Sequence, residues 1–299
     1  MGQCACLDSH GRAEKKVEVE VLRGRDEGYA PAAGSQASNA LQKIGMTPGV
    51  EEGGVEGDLV ALPEIKLEGG TLYTGQWRGT VREGEGVLER PDGGRYEGQF
   101  VNNRAEGYGK FFHANGERYE GQWKADKAHG FGTFYHEDGS LYEGQWVEDM
   151  MQGRGTEKWT DGSRFDGEYF ASKKNGQGDF VWAEGSRYRG QFSQSDIHGE
   201  GEYTWNDGRT YVGQWERNHM QGKGKMTWSD GRVYEGDYLK DRKHGQGRFS
   251  WPDGRKYDGG WKDGKQHGEG VYTTPSGDSL RGLWENGHKV KWLEAPGGK

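Results

Sequence analysis

Cysteine is almost absent from this chain: of 299 residues only Cys4 and Cys6 are cysteines. They stand too near the N-terminus to support a disulfide framework, which argues for an intracellular protein. Proline is scarce, at seven residues, and only 30% of the residues are apolar, too few for the two globular cores that the length would suggest. No run of eighteen apolar residues exists and no apolar stretch follows the N-terminus, so neither a membrane-spanning helix nor a secretory signal is expected. Excess positive charge is also missing. Forty Lys and Arg against 48 Asp and Glu give a net charge of -8, so the basic surface that neutralises phosphates is lacking and nucleic acid is not an expected partner.

Glycine and aromatic residues, by contrast, abound. The 56 glycines alone would suggest a flexible chain, but 12 Trp, 15 Tyr and 10 Phe contradict disorder and require something that orders the rings. That order is a period of 23 residues. An aromatic-x-Gly-x-aromatic unit recurs from Tyr73-Gly75-Trp77 and Tyr96-Gly98-Phe100 through Tyr119-Gly121-Trp123, Tyr142-Gly144-Trp146 and Tyr211-Gly213-Trp215 to Tyr257-Gly259-Trp261. A last unit, Leu280-Gly282-Trp284, breaks the aromatic rule at Leu280. A Gly-x-Gly pair keeps the same phase from Gly84/Gly86 to Gly268/Gly270, and a turn glycine, usually after Asp, follows from Gly93 to Gly277.

Side chains alternate along a strand, so Tyr96, Gly98 and Phe100 share one face and Glu97 and Gln99 the other. If the two strands of a unit pair antiparallel across the six residues between them, Trp77 falls opposite Gly84, Gly75 opposite Gly86 and Tyr73 opposite Leu88. Rings then lie over glycines, which explains glycine inside strands. Asp-Gly and Asn-Gly supply the positive φ of a tight turn into the next unit. The expected fold is all-β: an elongated, single-layer antiparallel sheet of stacked 23-residue hairpins, each stabilised by its neighbours, after a disordered N-terminal region.

These units resemble the MORN repeats, with a pattern close to Tyr-x-Gly-x-Trp, then Gly-x-Gly, then Asp-Gly. The resemblance covers residues 71 to 292 and departs at Leu280 and in the final unit, which lacks Gly-x-Gly and reads as a terminal cap. It implies roles in scaffolding, membrane-to-cytoskeleton linkage and dimeric assembly. Some members of the family carry a kinase or methyltransferase domain, and no segment of this chain has room for one.

The N-terminus, Met1-Gly2-Gln3-Cys4-Ala5-Cys6, resembles an N-myristoylation signal with Gly2 as acceptor, although Cys6 stands where Ser or Thr is preferred. One myristoyl chain binds membranes only marginally, and Cys4 and Cys6 are placed to carry palmitate as a second anchor. The expected organisation is an acylated anchor over residues 1–22, a linker over 23–62, a degenerate capping strand over 63–70, the repeats over 71–292 and a disordered tail over 293–299. Ile65, Leu67 and Gly70, one period before Leu88, Arg90 and Gly93, motivate the capping strand.

Catalytic readings fail on periodicity. The Gly-x-Gly pairs neither end in Gly-Lys-Ser/Thr nor open a helix, as a phosphate loop would. His129, His198, His244 and His267 recur one per unit, which spreads them along the chain as turn or loop residues instead of gathering them on a metal. Asp138, Asp161, Asp207, Asp230 and Asp253 are likewise turn residues. No enzyme activity, cofactor or metal is expected. The expected function is a scaffold that holds a protein partner at the cytoplasmic face of a membrane, reached through acyl chains. The partner surface is sought on the aromatic ladder, at Tyr119, Trp123, Tyr142, Trp146, Tyr211 and Trp215. A final strand without a neighbour would suit a homodimer. The competing readings are a phospholipid-binding module, disfavoured by 33 Lys and Arg against 36 Asp and Glu over residues 71–299, and a targeting subunit for a separate enzyme.

Overall fold

The computed structural model describes residues 57–293. They form 21 antiparallel strands and one short 3-10 turn, Glu68–Gly70, with no α-helix among the described residues. Two compact units can be described separately. The first holds β1 (Leu59–Lys66), β2 (Leu72–Arg78), β3 (Val81–Glu89), β4 (Arg95–Val101), β5 (Arg104–Phe112), β6 (Arg118–Lys124), β7 (Lys127–Tyr135), β8 (Leu141–Val147) and β9 (Met150–Lys158). β10 (Arg164–Phe170) is divided, its residues from 169 onward grouping with the first unit and those to 168 with the second. The second unit continues with β11 (Lys173–Val181), β12 (Arg187–Ser193), β13 (Asp196–Thr204), β14 (Thr210–Glu216), β15 (His219–Thr227) and β16 (Val233–Leu239). It ends with β17 (Arg242–Ser250), β18 (Lys256–Lys262), β19 (Lys265–Thr273), β20 (Ser279–Glu285) and β21 (His288–Trp292). Within each unit every strand pairs with the next in chain order, as in β2 with β3, β3 with β4 and β13 with β14.

A seven-residue strand and a nine-residue strand make one repeat, joined by a far shorter turn than the sequence suggests. Tyr73 stands opposite Leu88 and Gly75 opposite Gly86, as the alternation requires, but Trp77 faces Arg82 and not Gly84. The register shifts between Gly75 and Trp77, so the longer strand absorbs extra residues in a bulge and the hairpin closes over two residues. Gly84 is the bulge glycine, with φ +77°. The Gln76 side chain fills the space beside it, where its Oε1 accepts from Glu85 N–H at 2.7 Å. The same device recurs with Gln99 on Tyr108, Gln122 on Phe131 and Gln214 on Lys223.

Both residues of the two-residue turn carry positive φ, 50° and 68° at Asn102 and Asn103, 49° and 66° at Ala125 and Asp126. This is the type I′ geometry that matches strand twist. Non-glycine residues there cost about 1–2 kcal/mol each, and hydrogen bonds to the preceding repeat offset that cost. Asn103 Oδ1 accepts from Arg82 N–H at 2.8 Å, Asp126 Oδ1 from Ala105 N–H at 2.7 Å and Asn218 Oδ1 from Ile197 N–H at 2.7 Å. The Asp-Gly ends form the other turn, where Gly116 at φ +90° donates to His113 O at 3.0 Å and His113 donates to Glu117 O at 2.8 Å.

At the N-terminal end β1 begins at Leu59, so residues 59–62 of the expected linker are strand, while 68–70 of the expected strand are a turn. β1 pairs with β2, and Ile65 is buried. At the other end β20 does not lack a neighbour: β21 pairs with it, Gly282 opposite Trp292 and Glu285 opposite His288. Trp292 packs edge-on to Trp284 at 5.9 Å, which makes β21 the cap and puts exposed Lys289 and Lys291 on it.

Candidate functional site

The aromatic ladder is a core and not a contact surface. Tyr119, Trp123, Tyr142, Trp146, Tyr211 and Trp215 are all between 0 and 3% exposed. The tyrosine lies flat along its own hairpin. A Cβ added to Gly132 would come within 2.2 Å of the Tyr119 hydroxyl oxygen, and one on Gly121 within 2.6 Å. That hydroxyl donates to Gln122 O at 2.9 Å, and the matching hydroxyls of Tyr142 and Tyr211 donate to Gln145 O and Gln214 O at 3.0 Å. Each tyrosine then meets two rings edge-to-face, Tyr119 with Trp123 at 5.1 Å and with Trp146 of the next repeat at 5.3 Å. The chain of rings repeats as Tyr211 with Trp215 at 5.1 Å and with Tyr238 at 5.1 Å. A single sheet therefore buries these rings by laying them over glycine and against each other. Burial holds the phenols of Tyr119, Tyr142 and Tyr211 above the usual range.

The histidines also differ from expectation. His129, His198, His244 and His267 lie within strands β7, β13, β17 and β19, just ahead of the bulge glycine, and not in loops. Among the described residues no group of three or more His, Cys, Asp or Glu could hold a metal ion. Gly2, Cys4 and Cys6 lie outside the described residues.

Exposed rings occur where the ladder is not. The middle residue of Gly-x-Gly points away from the core, and most repeats place a polar residue there: Glu85, Arg154, Gln177, Glu200, Lys223, Gln246 and Glu269. The second and third repeats place Tyr108 and Phe131, which are 54% and 61% exposed. Four residues on, the same two repeats carry half-buried Phe112 and Tyr135, where the other seven carry Glu89, Lys158, Val181, Thr204, Thr227, Ser250 and Thr273. Across the sheet, Tyr108 stands opposite Gln122, Phe112 opposite Arg118, Arg118 opposite Tyr135, and Phe131 opposite Gln145. The guanidinium of Arg118 stacks on Tyr135 at 3.9 Å and its Nε reaches Glu120 at 3.1 Å. Lys110 meets Glu120 at 3.5 Å, and Arg95 pairs with Glu89 and Glu97. The face thus offers rings among charges that are already paired. Averaging over the period hides this patch from the sequence; a position-by-position comparison of repeats finds it.

A second departure lies on β17. Lys243 occupies a position that five other repeats fill with Ala105, Ala128, Met151, Ile197 and Met220, and three fill with Arg82, Lys174 and Gln266. Its ammonium sits 4.6 Å from the Phe249 ring centre, 4.7 Å from Trp261, 5.3 Å from Trp228 and 5.4 Å from Tyr234. Burial pushes it down to about 8, while the ring faces attract the charge.

A tandem array of bulged β-hairpins, each burying a pair of aromatic rings over glycine, defines a repeat protein. The MORN repeat family model matches residues 73–95, 96–118, 119–141, 142–164, 165–187, 188–208, 211–231, 234–254 and 257–279, and the chain belongs to that family. A comparison with the curated proteins gives no match. Among solved structures it is similar to the TCP10 domain of Danio rerio CPAP in complex with a peptide of Danio rerio STIL, at 12% identity over 80% of this chain and 100% of that one, TM-score 0.43. It is also similar to the G-box domain of the microcephaly protein CPAP, at 13% identity over 68% and 100%, TM-score 0.38. A virginiamycin B lyase from Staphylococcus aureus follows at 10% identity over 77% and 89%, TM-score 0.14. At these TM-scores the likenesses carry no argument about what this chain binds.

Proposed function

We propose that this MORN-repeat protein is a non-enzymatic scaffold that tethers a protein partner at the cytoplasmic face of a membrane. The observation that carries the reading is the aromatic patch of Tyr108, Phe112, Phe131 and Tyr135. Two exposed and two half-buried rings cluster at matched positions of adjacent repeats, and exposed aromatic residues in a patch mark interaction sites. The cations of that face are matched by Glu89, Glu97 and Glu120, which favours a protein partner over an anionic lipid headgroup. Gly2 with Cys4 and Cys6 would supply the membrane attachment as a doubly acylated anchor.

Proximity labelling in the native cell tests both halves. The double variant Tyr108→Ser/Phe131→Ser should lose labelled protein partners and keep its location, whereas Gly2→Ala should move the protein to the cytosol. An unchanged set of partners in the double variant overturns the protein-binding reading, and unchanged membrane fractionation of Gly2→Ala overturns the anchor.

A further inference from the structure

Between the rings of the patch lie side-chain amides. Gln99 stands on β4, Tyr108 on β5, Gln122 on β6, Phe131 on β7 and Gln145 on β8, so one row across five strands alternates amide and ring. Each glutamine is held by the bulge: its Oε1 accepts from Tyr108 N–H at 2.9 Å, from Phe131 N–H at 2.7 Å and from Arg154 N–H at 3.0 Å. With the oxygen engaged, the NH₂ end of each amide is the part left to donate outward.

The spacing of this row selects a ligand. Adjacent strands lie about 4.8 Å apart, so the rings of Tyr108 and Phe131, two strands apart, recur at about 9.6 Å with a glutamine between them. Phe112 and Tyr135 repeat that separation on the same strands. A polyproline II helix has three residues per turn at about 3.1 Å each, so its residues i and i+3 lie on one edge about 9.3 Å apart. Its carbonyls have no internal partner and need donors. An extended β peptide would present like-facing residues every second position, about 6.8 Å apart, and it could not add to this sheet by pairing because β5, β6 and β7 each have neighbours on both sides. Charge points away from an acidic segment: Arg95, Lys110 and Arg118 are paired with carboxylates of the same face.

We infer that the row from Gln99 to Gln145 is a binding site for a proline-rich peptide in the polyproline II conformation. The peptide crosses the strands, seats residues i and i+3 on Tyr108 and Phe131 and offers carbonyls to Gln122. The inference rests on the protein-binding reading above and names its ligand class.

Fluorescence anisotropy of the full chain with labelled decaproline, against a labelled Gly-Ser peptide of equal length, tests it. Decaproline should bind and the Gly-Ser peptide should not. Tyr108→Ser and Phe131→Ser should each weaken binding by about tenfold or more, while Phe170→Ser, at an exposed ring outside the row, should leave it unchanged. Circular dichroism checks that each variant keeps its strands. No binding of decaproline, or equal loss in Phe170→Ser, overturns the inference. If decaproline fails while Tyr108→Ser/Phe131→Ser still strips partners in the cell, the ligand class is wrong and the protein-binding reading survives; if neither responds, both fall.

Discussion

Gly213 tests how the rings are buried. A methyl group there would lie 2.5 Å from Gly224 Cα, 2.6 Å from Lys223 O and 2.7 Å from the Tyr211 hydroxyl, where ordinary carbon contacts are about 3.5–4.0 Å. Two of those atoms are backbone of the paired strand and cannot swing away, so the hairpin must open or the tyrosine must leave Gln214 O, to which it donates at 3.0 Å. Overpacking costs about 1–3 kcal/mol and loss of that hydrogen bond about 1 kcal/mol more, which places Gly213→Ala at about 2–4 kcal/mol. The control is Gly208→Ala, where φ is +85° but the nearest atom, Ser229 Cβ, is 3.7 Å away. It should cost only the left-handed penalty, about 1–2 kcal/mol. Stability in a repeat array is carried by neighbouring units, so the assay is native-state amide exchange read over β13, β14 and β15. Exchange in Gly213→Ala no faster than in Gly208→Ala would falsify the account of tyrosine lying across the glycine pair.

Alkali should unfold the protein cooperatively. Burial pushes Tyr73 and Tyr257 up to about 12 and holds Tyr96, Tyr234 and Tyr238 above the usual range. The unfolded chain sheds these protons from about pH 10 and the folded chain only later, so stability is intact below pH 10 and falls above it by about 1.4 kcal/mol per pH unit for each tyrosine. Most of the rise in phenolate absorbance should therefore accompany loss of the strand signal, and a rise that is complete before that loss refutes the point. Lys243→Met should stabilise the protein at pH 7 by on the order of 1–3 kcal/mol. Because burial lowers Lys243 to about 8, the unfolded wild type binds the extra proton between pH 8 and about 10.4, so wild-type stability rises across that window and the advantage of the variant shrinks. Equal thermal midpoints at pH 7 would count against it. Asn218→Ala should cost about 1–3 kcal/mol by leaving Ile197 N–H unpaired, seen as faster exchange at Ile197 than at Ile65.

The period made the fold legible. The alternation that places Tyr96, Gly98 and Phe100 on one face correctly yields strands, the pairing of Tyr73 with Leu88 and the positive φ of the Asp-Gly turns. It did not yield the bulge, because nothing in a two-residue alternation reveals that Gly84 breaks it with a left-handed φ; the clue is the glutamine of Tyr-x-Gly-Gln-Trp, whose role is visible only once the strands are paired. The site was misplaced for a related reason. Large rings on a one-layer sheet look exposed in sequence, and only the tyrosine lying flat over Gly121 and Gly132 explains how Tyr119 reaches zero exposure. Tyr108 and Phe131 do not show in a consensus, which discards what differs between repeats.

The hydrogen bonds of the type I′ tips latch each repeat to the one before it in both directions. Asn103 serves Arg82, Asp126 serves Ala105 and Asn218 serves Ile197, so an acceptor in each later repeat completes a donor in the repeat before it. In return, the backbone N–H groups of Asn103, Asp126 and Asn218 donate to the carbonyl oxygens of Arg82, Ala105 and Ile197 at 3.1, 3.1 and 3.0 Å, so removing a repeat from either side leaves a backbone N–H unpaired in the repeat that remains. Each tip is therefore a two-way latch, closed only when both of its repeats are present. Nested truncations from the two ends should accordingly lose stability to a similar degree, and a loss confined to one side would refute the point.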